Sequence, residues 1–174
     1  MRLRFLPFGL LLAATPLAAQ QKKPLTQASY DYWRTIVGAT LSPDGSRVAW
    51  TQTPVVGDGQ VHIAPATGGG NHLVIDRGWT GRPQLQPNAD SGWTAPPVQW
   101  SADSRWLAFL AYAPQAQFAE ARRLKRRPNQ MPKAMLALQD VATAGAALVR
   151  IHDVKSFRMP REGRGQWIAY HLEA

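Results

Sequence analysis

The side chains best suited to chemistry are the four histidines, His62, His72, His152 and His171. Histidine ligates metals and moves protons near neutral pH. No H-x-H or H-E-x-x-H spacing occurs among them, so the common zinc arrangements are missing. His62 and His72 flank the stretch "ATGGGN" and can face each other across a glycine turn. A cross-strand pair on a solvent-facing surface is expected there, rather than a metal site. The three glycines could cradle a phosphate. Neither a helix nor a Lys-Ser/Thr pair follows them, so a hairpin turn is the expected reading.

Nucleophiles and acids are equally sparse. None of the seven serines lies in a G-x-S-x-G elbow. Ser42, Ser46, Ser101 and Ser104 fall in turn sequences, where local hydrogen bonding accounts for them, and Ser91 lies in the loop "NADSGW". Asp44, Asp58, Asp90 and Asp103 each precede Gly or Ser, which is turn chemistry, and no alternating acidic run suggests calcium. Glu120 and Glu162 stand alone, so no carboxylate pair is available for acid–base work. There is no Cys, which excludes disulfides, thiolate metal sites and a lipid anchor on Cys. The expectation is no catalytic residue, no cofactor-binding residue and no metal ligand in this chain.

The elements that carry these residues are short strands. Residues 37–41 and "RVAWTQ" (47–52) are expected to pair around Pro43-Asp44-Gly45, because Pro presets φ and Gly accepts positive φ. "QVHIAP" (60–65) and "HLVID" (72–76) flank the glycine turn. Four strands joined by turns over 37–76 make one unit, the content of a propeller blade. The pattern returns at about 97–152. "LSPDGSRVAW" aligns with "WSADSRWLAF" at an offset of 59, so that Ser42 meets Ser101, Asp44 meets Asp103, Ala49 meets Ala108 and Trp50 meets Phe109. Thr67 aligns with Thr143 at an offset of 76, which places 17 extra residues inside the second unit, at about 113–132. A third unit begins at about 154–174, where Ala169 follows Ala108 by 61 and Trp167 and Tyr170 match Trp106 and Phe109. Recurrence at fixed spacing is the signature of a repeat architecture. The expected fold is all-β, an incomplete β-propeller of about two and a half four-stranded blades. The small Ala49, Ala108 and Ala169 are expected where neighbouring sheets approach closely.

Residues 1–19 read as a signal peptide: "MRLR", then the apolar "FLPFGLLLAA", then small residues with cleavage expected after Ala19. The apolar run is too short to span a bilayer, and no other stretch could, so the mature chain is expected to be exported, periplasmic or secreted, without a membrane span. Residues 20–36 form a leader with a short helix capped by Thr26, with Tyr30, Trp33 and Ile36 or Val37 near one helical face. Losing Arg2 and Arg4 with the signal lowers the net charge from +9 to +7. Much of the excess is "ARRLKRRPNQMPK" (121–133), within the insertion, where Phe118 to Arg127 is expected to be helical and ended by Pro128. Export and the lack of interleaved aromatics argue against nucleic acid as a partner. A solvated basic insertion is expected, with an anionic partner as the lesser alternative. Trp79 and Trp93 lie in the long connection 76–97, and packing is favoured there over ligand binding.

The order of these stretches carries a resemblance. "YDYWRTIVGATLSPDGSRVAW", "VQWSADSRWLAFLA", the basic insertion ending "RRPNQMPK" and "VKSFRMPREGRGQWIAYHLE" follow one another behind an export signal. Over roughly residues 26–174 this resembles the start of the β-propeller of exported bacterial serine peptidases of the prolyl oligopeptidase family. The Ser-Pro-Asp-Gly hairpin by itself also occurs in TolB-like propellers. The resemblance implies a propeller of about seven or eight blades that caps an α/β-hydrolase domain and admits short peptides. That hydrolase domain is expected downstream, and peptide is the expected substrate of the full-length parent. No catalytic residue of the family maps onto this sequence, and Glu120, Glu162 and Glu173 are not assigned the substrate-holding role of some family glutamates. The chain alone is therefore expected to be inactive. The alternative is a non-enzymatic, exported TolB-like propeller module that binds a protein.

Overall fold

The computed structural model describes residues 26–81, 98–160 and 167–173. The expected signal peptide (1–19), Asp90, Ser91, Trp93, Glu162 and the turn expected in the third unit lie outside the described residues. Among the described residues there are two four-stranded antiparallel sheets and one two-stranded hairpin, each strand paired with its sequence neighbours. The first sheet holds β1 (Arg34–Leu41), β2 (Arg47–Pro54), β3 (Gly59–Pro65) and β4 (Leu73–Gly78). The second holds β5 (Gln99–Trp100), β6 (Trp106–Ala111), β7 (Met135–Asp140) and β8 (Val149–Ile151), with helix α1 (Gln115–Arg123) inserted between β6 and β7. β9 (Val154–Arg158) and β10 (Ala169–Leu172) form the hairpin. No described helix is long and apolar enough to cross a membrane.

Successive side chains of a strand point to opposite faces, and β6 uses both. Leu107, Phe109 and Ala111 join Ala49, Val61, Ile63 and Ile75 of the first sheet in one core. Ala108 and Leu110 join Leu136, Val154 and Phe157 in a second core, against the hairpin. The second sheet is thus packed on both faces, which is why "LAFLA" is an unbroken buried run. Burying a side chain such as Phe109 contributes about 1.5–3 kcal/mol. Ala49 and Ala108 are both fully buried, at equivalent positions facing the next layer along the chain. Ala169, by contrast, is exposed.

The turns explain the repeat. Ser42 Oγ donates to Asp44 (2.6 Å) and accepts from the Arg47 N–H (3.0 Å). Ser101 donates to Asp103 and accepts from the Trp106 N–H (2.8 Å) in the same way. Gly45 and Ser104 occupy the same left-handed position, at φ 71° and 61°. The two turns touch, since the Asp44 N–H donates to Ser104 Oγ at 3.0 Å.

Three local expectations change. The leader helix is a single 3-10 stretch, Gln27–Tyr32, and Ile36 and Val37 lie in β1 instead of on a helical face. The β-branched run Thr35-Ile36-Val37 favours the strand. Helix α1 starts earlier than Phe118 because Asp58 Oδ1, from the first sheet, accepts the Gln115 N–H at 2.7 Å. It ends at Arg123 before reaching Pro128: Lys125 turns left-handed at φ 50°, and Arg126 N–H bonds the Ala121 carbonyl, a Schellman-type stop. Finally, Ala49 pairs with Ile63 and Ala108 with Leu138, so the third strands are offset by 75, one less than the Thr67/Thr143 alignment gave. The inserted segment is 16 residues longer than the first unit's turn, and the last residue of the difference sits in the turn before Thr143.

Candidate functional site

Four groups of chemically capable residues come together, and each is built by the sheets. In the first, the serine–aspartate turns, both hydroxyls spend their protons on neighbouring carboxylates. The Ser42 hydroxyl, with two further bonds from Ser46, holds the Asp44 carboxyl well below the usual carboxylate range. Ser101 and the Arg105 N–H lower Asp103 likewise. These aspartates are fixed as anions that organise turns. Asp140 does the same for the last turn of the second sheet, accepting from Ala142, Thr143 and Arg105. Its carboxyl is held down to about 2, chiefly by the Arg105 guanidinium 2.9 Å away.

The second group is the histidine pair. His62 on β3 and His72 beside β4 meet across the glycine turn, with His62 Nδ1 3.0 Å from His72 Nε2. Trp50, paired with His62 on the adjacent strand, stacks on both rings at 5.2 and 5.4 Å between centroids. The expected solvent-facing pair is only half solvated: His72 is exposed, while His62 is 7% exposed. Burial pushes the His62 imidazole below its ordinary value, and His72 and Arg34 add to the shift.

The third group joins the two sheets and is not among the residues that the sequence singles out. Arg77, in the connection read as a loop, is 1% exposed, donates from Nε to the Leu110 carbonyl (3.0 Å) and lies over the Tyr112 ring. Beside it the backbones cross: Tyr112 N–H bonds Arg77 O (2.7 Å) and Trp79 N–H bonds Ala113 O (3.0 Å). Gly78 between them has φ +79° and no room for a Cβ. The one available signal was the Arg-Gly pair placed directly after the strand "HLVID".

The fourth group is the insertion. Trp79 packs on Phe118 (5.0 Å) and under the Arg122 guanidinium (5.1 Å), so it serves the packing of α1. Glu120 pairs with Arg123 at 2.7 Å. Arg122 through Gln130 are all exposed, which makes the basic run a solvated surface. A cleft of about 440 Å³ lies between the second sheet and the β9–β10 hairpin, lined by Trp106, Leu138, Met159 and Trp167, with Asp103 and Arg105 among its polar groups. Among the described residues no three His, Asp or Glu side chains gather as a metal cage. His171 lies on β10 and His152 between β8 and β9, apart from the β3–β4 hairpin that carries the other two histidines. Compared with known protein families, with curated proteins and with solved structures, the chain matches none.

Proposed function

We propose that the chain is the N-terminal part of a β-propeller in an exported serine peptidase of the prolyl oligopeptidase type. In that reading it restricts which substrates reach a hydrolase domain encoded downstream, and it has no peptidase activity alone. The observation that carries the reading is the equivalence of the two sheets. Each is a four-stranded antiparallel meander with the same Ser-x-Asp turn. The second uses its Phe109 face against the first sheet and its Ala108 face against the hairpin that follows. Sheets stacked face to face in chain order are how blades are laid down. The exported leader "FLPFGLLLAATPLAAQ" and the order of the motifs support the peptidase family in particular. In that reading, restriction of access is the role of a ring of blades over a hydrolase, which would pass extended peptides and exclude folded chains.

The test is to sequence the coding region beyond codon 174 and express what it encodes. A continuing propeller joined to an α/β-hydrolase with G-x-S-x-G, cleaving short peptides and sparing folded proteins, is the expected outcome. Further blades with no hydrolase would favour the TolB-like protein-binding module instead. A continuation with neither would overturn both readings.

A further inference from the structure

We propose that His62 and His72 form a two-imidazole site for a divalent transition-metal ion, Cu(II) by preference. The argument starts from the spacing of the two nitrogens. Two nitrogen ligands at about 2.0–2.1 Å from one ion, set at a right or tetrahedral angle, stand about 2.8–3.4 Å apart. His62 Nδ1 and His72 Nε2 are 3.0 Å apart. An ion entering between them needs each ring to turn off the nitrogen–nitrogen line, by about 35–45° at those angles. In the free chain the same atoms share one hydrogen bond, so metal entry sends its proton to the donor ring's other nitrogen or to solvent.

The site is held and open at once. Trp50 lies nearly parallel to the His62 ring, at 8°, and fixes its plane. His62 is buried on β3, whereas His72 is exposed and gives the ion a path from solvent. Imidazole suits Cu, Ni and Zn, and divalent affinity peaks at Cu(II). Two features keep the affinity modest. His62 Nε2 is buried without a hydrogen-bond partner, so the ring lacks the carbonyl or carboxylate that tightens metal-bound histidines. Arg34, bonded to Gln60 at 2.7 Å, brings a like charge to the same side of the sheet. Water fills the remaining positions, since no third His, Asp or Glu is gathered there among the described residues.

The inference stands independently of the propeller reading, because it uses only the first sheet. It is tested by titrating Cu(II) alone into the purified chain, with calorimetry for stoichiometry and electron paramagnetic resonance for the ligand set. One ion per chain with two imidazole nitrogens is expected, with Ni(II) and Zn(II) weaker. His72→Ala, at an exposed position that leaves the core intact, should weaken Cu(II) binding by about tenfold or more. His152→Ala should leave it unchanged. The inference is overturned if His72→Ala binds as tightly as the parent chain, if only one imidazole nitrogen is seen, or if Cu(II) does not bind specifically at all.

Discussion

Replacing Gly78 by Ala is expected to open the junction between the two sheets. A Cβ at this position would overlap the Tyr112 carbonyl oxygen and stand 2.6 Å from the carbonyl carbon and 3.0 Å from Ala113 O. All three are backbone atoms and cannot swing away as a flexible side chain would. The strand ends must separate, which breaks the Tyr112–Arg77 and Trp79–Ala113 backbone bonds. Each such bond contributes about 1 kcal/mol net. The φ of +79° adds the left-handed cost of a residue with a Cβ, about 1–2 kcal/mol. A loss of about 3–4 kcal/mol is expected from the sum. Gly45→Ala is the control: its φ is +71°, nothing lies within 4 Å of a Cβ, and Ser104 already occupies the equivalent position. That variant should lose only the conformational part, about 1–2 kcal/mol. Urea unfolding of both variants, followed by tryptophan fluorescence, measures the difference. Equal losses in the two would refute the close approach of the sheets at Gly78.

Three further outcomes are expected. The Asp140 carboxyl is lowered to about 2 in the folded chain, against an unfolded value of about 3.9. Its contribution is therefore complete above about pH 4 and lost as pH falls through about 2. Arg105→Ala removes the main cause of that shift, so acid unfolding followed by circular dichroism should begin at a higher pH in the variant. The purified chain should resist labelling by a fluorophosphonate probe and leave dipeptidyl chromogenic substrates intact, because the Ser42 and Ser101 hydroxyls donate to carboxylates and meet no histidine base; a labelled serine found by mass spectrometry would contradict this. Mass measurement of the exported protein should show the chain beginning at Gln20, and an intact Met1 in the exported fraction would remove the signal-peptide reading.

Local chemistry made much of the fold legible in advance. The Ser-x-Asp turns were readable because a hydroxyl two residues before a carboxylate closes its own turn, whatever surrounds it. The offset of 59 carried Ala49 onto Ala108 because a strand's period of two is set by its own backbone. The same regularity foretold that His62 and His72 would meet, since both flank one tight turn. What the sequence left open lies between sheets. Asp58 caps α1 from 57 residues away, and the Asp44 N–H reaches Ser104 across 60. Arg77 falls within the residues read as the long connection 76–97, yet it lies in β4 and is among the most buried of the described side chains. Such contacts depend on how far apart two sheets lie and how they are turned. No single strand's pattern encodes those quantities, so the burial of Arg77, the tight fit at Gly78 and the start of α1 were decided only when the sheets packed.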